Sequence, residues 1–121
     1  MSYEQIGDQF VDFYYQTFDS NRAGLAPLYR DTSMLSFEGF QTAGAAAIGA
    51  KLVGLPFTSV AHRIVTKDFQ PVGSDIVVLV TGQLLIDGES NAQQFSQTFY
   101  LKNEGPNNYF IQNDVFRLIY G

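Results

Sequence analysis

Between Ser74 and Glu89 a turn gives way to Ile76-Val77-Val78-Leu79-Val80, and after Thr81-Gly82-Gln83 the run closes in Leu84-Leu85-Ile86 and then Asp87-Gly88-Glu89. A strand with one wet face alternates apolar and polar residues. Here the even row (Ile76, Val78, Val80, Leu84, Ile86) and the odd row (Val77, Leu79, Leu85) are both apolar, so both faces need cover. The β-branched content, the internal Gly-Gln and the absence of cationic flanks make this one long central strand rather than a membrane-spanning helix, and no membrane insertion is expected. One face should close a core, and the other should meet a second sheet or a second subunit.

A chain of 121 residues with 45% hydrophobic content suits one domain over residues 1–121. Cysteine is absent, which removes disulfides, thiolate metal sites and thiol nucleophiles. The first residues, Met1-Ser2-Tyr3-Glu4-Gln5, show no basic stretch followed by an apolar run, so a soluble intracellular protein is expected. With seven basic and twelve acidic residues, a net charge of -5 and no cationic cluster, nucleic acid is a poor partner and a basic protein a better one. Seven Tyr and eleven Phe supply large contact areas for a core or a recognition surface.

Ser2 and Gln5 have capping-box spacing, and Ile6, Phe10, Phe13, Tyr14, Thr17 and Phe18 recur at helical intervals, which predicts a helix from about Tyr3 to Phe18. Asp19-Ser20-Asn21 reads as a turn and cap. Leu25, Leu28 and Tyr29 suggest a second helix, kept short or bent by Pro27. Ser33–Phe37 and Phe40–Thr42 read as strands turning at Glu38-Gly39, and Gly44 to Leu52 as a third helix stopped by Gly54 and Pro56. Val60, His62, Ile64 and Thr66 form one row of a strand over Thr58–Lys67, joined by Gln70-Pro71-Val72-Gly73 to the central strand. Two more strands, Gln94–Asn103 (Phe95, Gln97, Phe99, Leu101) and Tyr109–Tyr120 (Phe110, Phe116, Leu118), flank a loop rich in Asn and Gly. The order predicts an α+β domain, helices on one face of a curved antiparallel meander. The outer row of Val77, Leu79, Leu85 and Tyr100 is then left bare, which predicts a homodimer through the sheets.

Tyr14-Tyr15-x-x-Phe18-Asp19, Leu35-Ser36-Phe37-Glu38-Gly39, Leu52-x-x-Leu55-Pro56-Phe57, Gln70-Pro71, Gly82-Gln83-Leu84 and Asn113-Asp114-x-Phe116-Arg117-Leu118 occur in this order over nearly the whole chain. Together they resemble the nuclear transport factor 2 family in its fungal-like form. The resemblance implies a cone-like fold, a curved antiparallel sheet wrapped round three helices from the N-terminal half. It also implies a homodimer, and a non-enzymatic import carrier for the GTPase Ran in its GDP form (Ran-GDP) that binds Phe-x-Phe-Gly repeats of nuclear pore proteins. Such a carrier works in cytoplasm and nucleus, is enriched at the pore, and needs no cofactor, metal or catalytic residue.

By the same resemblance Glu38, Asp87 and Glu89 are rim acids for basic residues of Ran, and Phe37 and Phe116 are cavity walls for an inserted aromatic, with Leu55, Val60 and Val115 as further lining. Phe37 stands where the family often has Trp, and Gly88-Glu89 where it usually has an acid and then often Asp. Tyr3, an aromatic at the start of the first helix, is the pore-repeat candidate. Each has a plainer reading: Asp87-Gly88 as a turn pair, the large apolar residues as core, and Tyr3 as a terminal residue. His62 alone cannot build a zinc site and reads as an interior histidine, and Tyr14 and Tyr15 as core rings with a satisfied hydroxyl. The rival classes are a cavity enzyme of the same fold, with Asp114 as the one acid placed to face His62, and a scaffold or adaptor domain, which would normally be joined to others.

Overall fold

The computed structural model describes residues 1–56 and 58–120. Its first helix, α1, spans Tyr3–Ser20. Ser2 caps it as the spacing predicts: Gln5 N donates to Ser2 Oγ at 3.2 Å, and Ser2 N donates back to Gln5 Oε1 at 3.0 Å. The buried stripe is Gly7, Val11, Tyr14, Tyr15 and Phe18. Phe13, expected on that stripe, is 52% exposed, because the face that meets the sheet is centred between Tyr14 and Tyr15. At Gly7 the helix runs so close to the sheet that an added Cβ would lie 2.4 Å from the Phe69 ring.

A 3-10 helix follows over Arg22–Leu28, with Pro27 inside it. The tighter winding is the short form that Pro27 imposes. Strands β1 (Tyr29–Phe37) and β2 (Phe40–Ala43) make a hairpin, and α2 spans Ala45–Val53. The long strands are β3 (Val60–Val72), β4 (Asp75–Ile86), β5 (Gln93–Asn103) and β6 (Tyr109–Ile119). Residues 70–72, expected as a connection, extend β3 instead, and the turn falls at Gly73 with φ +60°. Pro71 is accommodated because β3 is an edge strand, where a missing ladder donor is tolerated.

The six-stranded sheet has the order β2-β1-β6-β5-β4-β3. β3 through β6 form the expected antiparallel meander, but β1 joins β6 in parallel, with Leu35 opposite Asp114 and Phe37 opposite Phe116. The parallel pair arises because α2 carries the chain from the β1–β2 hairpin to the far edge before the meander begins. Two irregularities change the phase of strands read as simple alternations. Val65 is an unpaired extra residue between Ile64 and Thr66, so Thr66 leaves the inward row and Phe69 packs on the core instead. Gln112 is the extra residue in β6, so Ile111 is fully buried while Phe110 lies beneath the Arg30 guanidinium.

The helices cover one face of the sheet. Ile76, Val78, Val80, Leu84, Phe95, Phe99 and Leu101 are buried against them, while Leu79 and Leu85 on the other face stay about two-fifths exposed, at 39% and 40%. Val77 and Tyr100 are half-buried neighbours on that outer face.

Candidate partner-binding site

At the end of the sheet where β1, β4 and β6 finish, the two layers splay and leave an apolar cavity of about 290 Å³. Its walls come from separate elements: Phe18 from the end of α1, Leu55 and Pro56 after α2, Val60 and His62 from β3, Leu84 and Ile86 from β4, Phe116 and Leu118 from β6, and Phe37 from β1. Parallel pairing of β1 with β6 sets Phe37 beside Phe116, and their rings stack at 4.6 Å with 7° between planes. Phe95 lies behind them, 5.6 Å from Phe116. Phe37, Phe116, Leu55 and Val60 thus all line the cavity.

Val115 does not. Side chains alternate along β6, so Val115 points to the outer face, 45% exposed, opposite Thr98, which in turn faces Leu79. It extends the outer apolar row instead. Wall residues that sequence reasoning passed over include Phe18, Leu84, Ile86 and Leu118. The alternation of β4 already turned Leu84 and Ile86 inward, but not that their end of the row is open.

The acids stand next to this opening, two of them with work inside the fold. Glu38, at φ +52° in the hairpin turn, follows Phe37 directly; its Oε1 accepts the Leu118 N–H at 2.7 Å, and Oε2 lies 3.9 Å from Arg117 Nη1. Asp87, also at φ +52°, follows Ile86, and its Oδ1 accepts from Thr58 N, Thr58 Oγ1 and Ser59 N at 2.8 to 2.9 Å. The Ser59 amide first, then the Thr58 hydroxyl and amide, hold its carboxyl below the usual carboxylate range. Glu89 is exposed, and its amide donates to Ile86 O at 3.0 Å. Phe57, in the motif that leads to this loop, lies outside the described residues. Tyr3, in the first turn of α1, is half-buried against the core.

His62 is an interior histidine with 3% of its side chain exposed, but its acidic partner is Asp19 rather than Asp114. Nδ1 lies 2.5 Å from Asp19 Oδ1, and the His62 amide donates to Asp19 Oδ2 at 2.9 Å. Asp19 sits where α1 ends, one residue past Phe18, so the helix terminus hands the acid to β3.

Asp114 is fully buried in a different network. Tyr29 Oη donates to its Oδ2 at 2.7 Å and Tyr14 Oη at 3.4 Å, Gln97 Nε2 donates to Oδ1 at 2.8 Å, and Tyr15 Oη donates to Gln97 Oε1 at 2.7 Å. Burial pushes the Asp114 carboxyl up to about 6 against the pull of the three donors, and pushes the Tyr14, Tyr15 and Tyr29 hydroxyls well above the usual tyrosine value. These groups lie behind the cavity wall; among the described residues considered for acid–base chemistry, His62 lines the cavity. Among the described residues no group of three or more His, Asp or Glu gathers as a metal site, and no helix is long and apolar enough to cross a membrane.

Fold and site define a class: an α+β cone with helices inside a curved, unclosed sheet and a mostly apolar mouth, into which His62 reaches while paired with Asp19. A family model described as the Nuclear transport factor 2 (NTF2) domain matches residues 6–118, and the chain belongs to that family. Nuclear transport factor 2 of Emericella nidulans is 57% identical over 98% of this chain and 96% of its own length. The Schizosaccharomyces pombe protein of the same name is 54% identical over 98% of each. The solved structure of nuclear transport factor 2 from Cryptosporidium parvum superposes with a TM-score of 0.91 at 42% identity, covering 97% of this chain and 94% of that one. All three bear the name of a transport factor rather than of an enzyme.

Proposed function

We propose that this protein is a nuclear import carrier that takes Ran-GDP at the open end of the cone and crosses the pore on Phe-x-Phe-Gly repeats, returning Ran to the nucleus. It then divides its time between cytoplasm and nucleus and concentrates at the pore. The observation that carries this reading is the apolar cavity behind the stacked Phe37 and Phe116, bordered by Glu38 and Asp87, in a chain more than half identical to fungal nuclear transport factor 2. An aromatic side chain is the natural occupant of such a walled space, and carboxylates beside it select a partner whose flanking residues are basic. Glu89 extends the acidic rim. Tyr3 supplies an aromatic contact for the pore repeats, which must be weak and short-lived for transit to proceed. Val77, Leu79, Leu85 and Tyr100, with Val115, form the contact between two copies of the chain.

The rim acids call for conservative variants, because charge reversal at either would also break hydrogen bonds inside the fold. Glu38→Gln and Asp87→Asn keep an oxygen for Leu118 N and for the Thr58–Ser59 segment while removing the charge. Each variant should weaken binding to purified Ran-GDP about tenfold, or ~1.4 kcal/mol, in a titration at low salt. Wild-type affinity in both would contradict the rim assignment.

A further inference from the structure

Phe40 opens β2 opposite Phe37 across the Glu38-Gly39 turn, and it is 71% exposed. Lys51, in the last turn of α2, brings its Nζ to 5.9 Å from the ring centroids of both Phe37 and Phe40. A cation over an aromatic face is drawn to the negative ring quadrupole, so one ammonium links a ring that lines the cavity to a ring that stands outside it. Phe37 cannot yield inward, because the Phe116 ring is stacked against it at 4.6 Å.

We propose that Lys51 is a positioning residue for the cavity mouth. Its ammonium holds Phe40 to Phe37, and the two rings form a continuous apolar lip on which the partner lays the segment next to the aromatic it inserts. This rests on the Ran-GDP reading above. The lip gives the exposed Phe40 a contact that the fold itself does not supply. It also sets a cation at the ring lip of a mouth that carries acids at Glu38, Asp87 and Glu89 and Arg117 beside Glu38, a charge pattern that biases how a basic partner docks.

The test uses the full chain and purified Ran-GDP. Lys51→Met keeps most of the stem and removes the cation, Phe40→Ala removes the outer ring, and Lys51→Arg restores a cation suited to ring faces. Lys51→Met and Phe40→Ala should each weaken binding about fivefold, the double variant should be no weaker than either single one, and Lys51→Arg should bind as the wild type does. Melting temperature should stay at the wild-type value in all four. In the NMR spectrum of the free wild type, the Lys51 ε-methylene protons should be shifted upfield by the rings and should return toward ordinary values in Phe40→Ala. Wild-type binding by Lys51→Met, losses that multiply in the double variant, or an unshifted ε-methylene would each overturn the lip. A wild type that fails to bind Ran-GDP, with the upfield shift intact, would overturn the partner reading and the lip's role in it together.

Discussion

Asp114 shows how one residue couples this fold to pH. It is fully buried between Tyr14, Tyr29 and Gln97, and its carboxyl is raised from 3.8 to about 6. In the unfolded chain it titrates near ~4. Between those values the native state holds a proton that the unfolded state has released, so its contribution is complete below ~4 and is lost as pH rises through about 6, on the order of 3 kcal/mol. Asp75, held low by the Asn103 amide and the Tyr100 hydroxyl, and Asp87, held low by the Thr58–Ser59 segment, act in the opposite sense and lose their contribution only as pH falls below the ordinary carboxylate range. Unfolding free energy from urea titrations should therefore fall between pH 4 and 6 in the wild type. In Asp114→Asn that slope should flatten, and an unchanged slope would mean that another group titrates. His62 illustrates what a sequence withholds at this scale: its interior place is legible from the row it shares with Val60 and Ile64, but its partner is not. The sequence points to Asp114, whereas the partner is Asp19, because the end of α1 abuts β3.

At the scale of elements, the central strand was the most legible part of the chain. Its two rows divide as their alternation requires, with Ile76, Val78, Val80 and Leu84 inside and Leu79 and Leu85 outside. The capped first helix, the short second one and the order of strands follow from spacing and breakers in the same way. The bulges at Val65 and Gln112 were not legible, because one unpaired residue alters side-chain phase without leaving a mark in composition. Nor was the parallel pairing of β1 with β6, a choice made by non-local contacts. The β1–β6 pairing matters most for function, since it builds the Phe37–Phe116 stack; Val115, in contrast, is excluded by simple alternation once its neighbour Phe116 faces the cavity. Gly82 shows the constraint the first bulge imposes: a Cβ there would lie 2.4 Å from the Arg63 carbonyl oxygen and 3.0 Å from the Phe95 ring. Gly82→Ala should lower unfolding free energy by about 1–3 kcal/mol, as overpacking does. A variant as stable as the wild type in urea would show that β3 yields at its bulge.

The whole molecule presents two surfaces of different character. The outer sheet face carries Leu79, Leu85 and Val115, each about two-fifths exposed or more, joined across β4, β5 and β6. If two copies meet there, light scattering should give twice 13.5 kDa, and Leu79→Glu should give 13.5 kDa with an unchanged far-ultraviolet spectrum. A wild type of 13.5 kDa at micromolar concentration would remove that interface. The open end carries the cavity, its stacked wall and its acids, and on it the carrier reading stands. The most direct test is a calorimetric titration of the wild-type protein with Ran loaded with GDP and, in parallel, with a non-hydrolysable GTP analogue. Saturable binding of the GDP form with one Ran per chain, and little or no heat with the GTP form, is the predicted result. Equal binding of the two forms, or none of either, would contradict it.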